Sequence, residues 1–149
     1  MHVYWFQDSK IGHLNQVQAL LDELSKENEL AITKIQCPER SIFNWLKSFL
    51  PSAPIENQKD GVTLLIGAGH STYPQILKTQ QTLKKTANLL SVAILKPSFN
   101  VNAFDLVCAP EHDYPSTKKP NNVHAFKGSL ATTSLIEPTP NKGIIGLQR

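Results

Sequence analysis

The sequence predicts an α/β fold: a Rossmann-like parallel sheet with helices on both faces. Three observations carry this reading. Short β-branched and aromatic runs recur along the chain, separated by segments whose apolar residues fall at helical spacing. One run, Val62-Thr-Leu-Leu-Ile-Gly67, is apolar nearly throughout, as expected of a strand covered on both faces. Strands that alternate with helices are joined by right-handed crossovers, and such units build a parallel, doubly wound sheet.

The elements follow in order. His2-Val-Tyr-Trp-Phe-Gln7 is the opening strand, rich in the side chains that suit a buried sheet. Leu14, Val17, Leu20, Leu21 and Leu24 mark one face of a helix over 13–26. Leu30-Ala-Ile-Thr-Lys-Ile-Gln-Cys37 alternates well enough for a second strand. Ile42, Trp45, Leu46 and Phe49 make a short amphipathic helix over 41–50, stopped by Pro51. Residues 52–61 are polar and contain Pro54, so they form a loop. A strand over 62–67, a helix over 73–86 and strands over 90–95, 104–109 and 122–126 complete the domain, which ends near residue 135. Glu137-Pro-Thr-Pro-Asn-Lys-Gly143 has the composition of a linker, and residues 136–149 are expected to lead toward a second domain.

The chain has 149 residues, enough for one domain with a proper core. Its net charge of +3 is mild, and the lysine pairs at 84–85 and 118–119 are isolated, so no nucleic-acid partner is expected. No apolar run approaches the roughly 20 residues of a membrane span, and no secretory leader is expected, because the N-terminus lacks a basic region followed by an apolar stretch. Cys37 and Cys108 follow strand-like runs and read as reduced, structural residues, which fits a cytoplasmic location.

Three polar clusters follow three different strands, and parallel strand ends point the same way, so they are expected to meet at one edge. The first runs from Asp8 to Gln16. There Gly12 allows close backbone approach, a helix N-terminus offers N–H groups to an anion, and Lys10 adds positive charge. His13 suits a general base or a phosphate contact, because histidine titrates near neutrality. Asn15 and Gln16 extend the polar face. The alternative is that Asp8 and His13 merely cap the turn and the helix.

The second cluster, Gly67-Ala-Gly-His-Ser-Thr72, has the two close glycines of a phosphate-cradling turn. It lacks the third glycine of a dinucleotide fingerprint and the Lys-Ser/Thr of a P-loop. Thr72 is placed to cap the next helix, whereas His70 and Ser71 are candidates to face a ligand. A tight turn with no ligand is the alternative. The third cluster, Glu111-His112-Asp113, offers acid, base and ligand groups. Neighbours in an extended loop do not all point into one site, and zinc needs three or four protein ligands, so no metal is expected. Asp113 also suits a simple loop-fixing role.

Taken together, Asp8-Ser-Lys-Ile-Gly-His-Leu-Asn-Gln16, Ile66-Gly-Ala-Gly69, Phe104-Asp-Leu-Val107 with Pro110-Glu-His-Asp113, and Asn122-Val123 followed by Gly128 resemble a known pattern. It is that of the bacterial relatives of the plant mitochondrial fission ELM family, over about residues 2–135. The resemblance implies the N-terminal, acceptor-side half of a GT-B-type glycosyltransferase. Its nucleotide-sugar donor would be held mainly by a second Rossmann-like domain, and this domain alone would bind no cofactor. Gly12-His13 matches a Gly-His pair whose histidine serves as catalytic base in many such enzymes. The family commonly has a basic residue after Gly-Ala-Gly, where this chain has His70-Ser71. An older epimerase label for some members finds no support in the incomplete glycine motif.

Two functional readings follow. In the first, His13 deprotonates an acceptor hydroxyl, Asp8 or Asp113 orients it, and Lys10 with the Gly67–Thr72 turn contacts phosphate or polar groups of a sugar-like ligand; Glu111 and His112 complete the edge. In the second, the same edge belongs to a non-catalytic module that binds a small ligand or a protein.

Overall fold

The computed structural model describes residues 1–38, 61–83, 88–114 and 119–130. Among these, six parallel strands form one sheet: β1 (His2–Gln7), β2 (Ala31–Gln36), β3 (Val62–Ala68), β4 (Asn88–Ile94), β5 (Leu106–Pro110) and β6 (Val123–Phe126). Their spatial order is β2-β1-β3-β4-β5-β6. β1 is therefore flanked on both sides, pairing His2 with Ala31 in β2 and His2 with Thr63 in β3. The helix over 41–50, the loop over 52–60, the end of the helix beyond residue 83, the boundary at 135 and the tail over 136–149 lie outside the described residues.

Two helices cover opposite faces of the sheet. Side chains alternate along a strand, so Val3 and Trp5 of β1 face one way and Tyr4 and Phe6 the other. Helix α1 (Ile11–Ser25) buries Val17 and Leu21 on the first face, against Val3, Trp5, Leu64, Ile66, Val92 and Ile94. Helix α2 (Tyr73–Leu83) buries Tyr73 and Ile76 on the second, with Tyr4, Phe6, Leu65, Ala93 and Val107. Each large apolar side chain buried this way contributes roughly 1.5–3 kcal/mol. The direction of chain travel accounts for the two faces. β1 leads to one neighbour and β3 leads away on the other side, so crossovers of one hand put their helices on opposite faces. The fold is the doubly wound, Rossmann-like sheet that the alternation of elements implies.

The differences from the sequence reading lie at element ends. Helix α1 starts at Ile11, two residues before the expected position, which leaves only Asp8, Ser9 and Lys10 as the turn. β4 begins at Asn88 and stops at Ile94, because Leu95 turns into the left-handed region with φ 73°. β5 begins at Leu106, not residue 104. The carboxylate of Asp105 takes the Ser91 N–H at 2.8 Å and the Ser91 hydroxyl at 2.8 Å, and so pins a corner ahead of the ladder. No helix of the described residues is long and apolar enough to cross a membrane.

Cys37 and Cys108 are both free thiols. They stand after β2 and within β5, four strand spacings apart, or about 19 Å, far beyond the reach of a disulfide.

Candidate functional site

The strand order locates the site. From β1 the chain moves to β2 on one side, then returns across β1 to β3 on the other, so the crossovers diverge between β1 and β3. At such a switch point the loops at the strand ends separate and leave a crevice where ligands bind. A half-open cleft of about 560 Å³ occupies this position, a size suited to a small molecule. It is lined by Asp8, Ser9, Lys10 and His13 after β1, by Gly69, His70, Ser71 and Tyr73 after β3, and by Leu95 and Lys96 after β4.

Asp8 organises the first wall. It is only 7% exposed, and a buried carboxylate requires donors to offset its lost hydration. Three supply it: the Lys10 N–H donates at 3.1 Å, His13 Nδ1 at 2.6 Å and the Ser71 hydroxyl at 3.3 Å. The bond to Lys10 closes a turn two residues on, which bends the chain from β1 into α1. The carboxylate only accepts, so Nδ1 carries the hydrogen and Nε2 of the neutral ring keeps the lone pair. His13 retains 19% side-chain exposure at the cleft. Of the capping alternative, the turn half holds, since Asp8 closes the turn through Lys10, while neither side chain caps the helix. The N-cap residue is Lys10, without a side-chain cap, and the Asp8 and His13 side chains bond to each other.

The glycine turn forms the second wall. Gly69 has φ 86°, and a Cβ there would fall on the His13 ring, 2.5 Å from Nδ1 and 3.0 Å from Asp8 Oδ2. A Cβ on Gly67 would come 2.8 Å from Thr72 Oγ1 and 2.9 Å from the Phe6 carbonyl oxygen. Both glycines thus answer to contacts within the protein, and they let β3 close on the residues that follow β1. The Thr72 hydroxyl donates to the Gly69 carbonyl at 2.8 Å. The Tyr73 hydroxyl accepts the Gly69 N–H at 3.2 Å and donates to the carbonyl of Ile94 (2.7 Å) or Leu95 (2.9 Å). Burial raises this phenol well above its ordinary range, so it stays neutral while it ties β3 to β4 beneath the cleft. Burial, reinforced by the charge of Asp8, likewise pushes the Cys37 thiol up to about 12.

The expected site residues divide between cleft and surroundings. Asp8, Lys10, His13, Gly69, His70 and Ser71 come together in its lining. Gly12 does not: a Cβ there would meet nothing within 4 Å, so no neighbouring backbone demands a glycine. Asn15 is exposed on α1, and Gln16 is half-buried with its side-chain oxygen unpartnered among the described residues. Gly67, in β3, and Thr72, in the turn, are both buried. Glu111, His112 and Asp113 follow β5, two strands from β3, and are not among the lining residues, so the expected meeting of three clusters reduces to two. The Asp113 carboxylate lies 3.6 Å from His112 Nε2, and it is Asp8 that holds His13. Among the described residues, no three His, Cys, Asp or Glu side chains gather as a metal site.

Tyr73, Leu95 and Lys96 escaped the sequence reading. Tyr73 looks like an ordinary first residue of a helix, and Leu95-Lys96 belongs to no motif. The available signal was positional: β4 is also a parallel strand, so the residues after it belong to the same edge.

The family model described as Mitochondrial fission ELM1 matches residues 11–137. The chain belongs to that family. No curated protein and no solved structure matches it. The ELM1 match takes in His13, the glycine turn and Lys96, while Asp8 stands just ahead of it. Two matched stretches have structural duties away from the cleft. Asp105 fastens β5 to Ser91, and Gln80 Nε2 of α2 also donates to its carboxylate at 3.2 Å. Asn122 donates to the carbonyls of Val101 (2.8 Å) and Phe104 (2.9 Å), which fixes the approach to β6.

Proposed function

We propose that this ELM1-family chain is the acceptor-side half of a GT-B-like glycosyltransferase. The observation that supports it is the 2.6 Å bond between Asp8 and His13 Nδ1 in a cleft at the switch point. A carboxylate on Nδ1 fixes the ring and stabilises the imidazolium that forms when Nε2 accepts a proton, the logic of other Asp–His pairs. In the proposed step Nε2 takes the proton of an acceptor hydroxyl. The oxygen attacks the anomeric carbon of a nucleotide sugar, the bond from that carbon to the diphosphate breaks, and the nucleoside diphosphate leaves with the electron pair. A second Rossmann-like domain would hold the donor. A one-sided cleft does not exclude water, so the half alone is inactive on this reading.

The test uses the full-length protein and measures nucleoside diphosphate released from a panel of nucleotide sugars with cell-envelope extract as acceptor. His13→Ala should lower kcat by about 10²- to 10⁴-fold, the usual contribution of a general base. Asp8→Asn should lower it nearly as far; both variants should stay folded at the assay temperature, with His13→Ala melting below the parent because the buried Asp8 carboxylate loses a donor. Unchanged turnover in His13→Ala ends the proposal. If the parent binds ligand through this cleft yet turns over none of the panel, the non-catalytic binding module is the better reading.

A further inference from the structure

One turn sends two contacts onto the Asp8–His13 pair. It follows β3 and is tied down on both sides. The Thr72 N–H and hydroxyl both donate to the Gly69 carbonyl, at 3.1 and 2.8 Å. The Gly69 N–H donates to the buried Tyr73 hydroxyl at 3.2 Å. Within this turn Gly69 leaves room for the His13 ring. Two residues on, the Ser71 hydroxyl reaches from the second wall to the first and donates to Asp8 Oδ2 at 3.3 Å. One contact concerns the base, and the other concerns the acid that holds it.

Asp8 aims the ring only as well as it is aimed itself. The torsion that turns a carboxylate about its Cβ–Cγ bond is broad, so a single anchored oxygen leaves the other free to swing. Oδ1 is anchored by the Lys10 N–H of its own turn at 3.1 Å. Oδ2 receives His13 Nδ1 at 2.6 Å, but that is the bond to be positioned and does not position itself. Ser71 supplies Oδ2 with a donor independent of the ring, from a different strand end and 63 residues along the chain. Its longer bond leaves the closer approach to Nδ1, so it orients the oxygen without taking the ring's place.

Building on the transferase reading, we infer that Ser71 is a positioning residue of this site. It acts through Asp8 to keep the hydrogen on His13 Nδ1 and the lone pair of Nε2 turned to the acceptor hydroxyl. A base oriented by a group that is itself held is the general construction of an activated site. The sequence makes Ser71 a candidate to face a ligand; its hydroxyl is instead engaged on the protein's own carboxylate. The turn after β3 thereby belongs to the catalytic geometry without touching the acceptor.

The experiment compares the parent with Ser71 variants of the full-length protein, by nucleotide-sugar turnover and by nitrogen NMR of the histidine rings. The His13 signal is the one that His13→Ala removes. Ser71→Ala should lower kcat about tenfold with KM unchanged, the loss expected of a misaligned base. Its His13 should show both ring tautomers, where the parent shows the hydrogen on Nδ1. Ser71→Thr keeps the hydroxyl and should restore both readouts. Ser71→Cys keeps the volume with a much weaker donor and should follow alanine, so loss of the fold in one variant leaves the other to decide. Ser25→Ala, which removes a hydroxyl bonded to the Asp22 carbonyl at the far end of α1, should change neither. A raised KM at unchanged kcat would put Ser71 on the ligand and overturn the inference. A His13 tautomer indifferent to both Ser71→Ala and Ser71→Cys overturns it as well. His13-dependent transfer at full rate in Ser71→Ala sinks this inference alone. Tautomer mixing in Ser71→Ala, in a protein whose parent transfers nothing, sinks the transferase reading alone.

Discussion

Gly69 shows at a single residue how the site constrains the sequence. Its φ of 86° strains any L side chain, and a Cβ would occupy space held by the His13 ring. The left-handed conformation alone costs about 1 kcal/mol, and the overlap forces His13 or the turn to move. Gly69→Ala should therefore lose about 2–4 kcal/mol in a urea titration and break the Asp8–His13 bond, visible as a shift of the His13 ring nitrogen resonances. Gly12 is the natural control, being helical with open space around its Cα. Gly12→Ala should be neutral or stabilising by up to about 1 kcal/mol. Equal stability of the two alanine variants would refute this account of the glycine turn. Sequence inspection marks both glycines alike, because only the fold reveals which one faces a side chain from another element.

At the scale of elements, polar pins decide where strands begin. Asp105 is the clearest: Ser91 is fully buried, and both its N–H and its hydroxyl donate to the Asp105 carboxylate. Asp105→Ala leaves those donors without an acceptor and should cost about 2–4 kcal/mol in thermal melts. A loss below about 0.5 kcal/mol would mean that the corner is held by packing instead. Such pins explain which parts of the fold were legible. The runs His2–Gln7 and Val62–Gly67 announce their strands because most of their residues are apolar, β-branched or aromatic, as suits a sheet covered on both faces. The pattern places the start of β5 two residues early because Phe104 and Asp105 look strand-like, yet serve as core anchor and carboxylate pin. The cleft was legible in Asp8, Lys10, His13 and the glycine turn, all within recognisable clusters. Tyr73 and Lys96 act through partners 21 and 17 residues away in sequence, which no local pattern displays.

For the molecule as a whole, the buried thiol beside the site sets a titration of stability. Cys37 is raised from 9.0 to about 12, chiefly by burial and secondarily by Asp8. Between those values the unfolded chain has released the proton while the native chain keeps it. Stability is therefore fully present below about pH 9 and declines as pH rises toward 12, by up to about 1.4 kcal/mol per unit for this group. Comparing urea midpoints at pH 8.5 and 10.5, Cys37→Ala should show a smaller fall than the parent; identical falls would remove the thiol from the account. The strand order has a further consequence, in time instead of energy. β1 is made first, but its wall of the cleft meets the other only when β3 adds beside it, and Gly69 follows His13 by 56 residues. At ordinary elongation rates those residues take roughly 3–11 s to emerge. Such a distant parallel pairing is also a slow step in folding. During that interval the nascent chain already carries Asp8, Lys10 and His13 and still has no site. The cleft is the seam along which the domain closes, so a ligand held there would favour the finished fold over every partly made one.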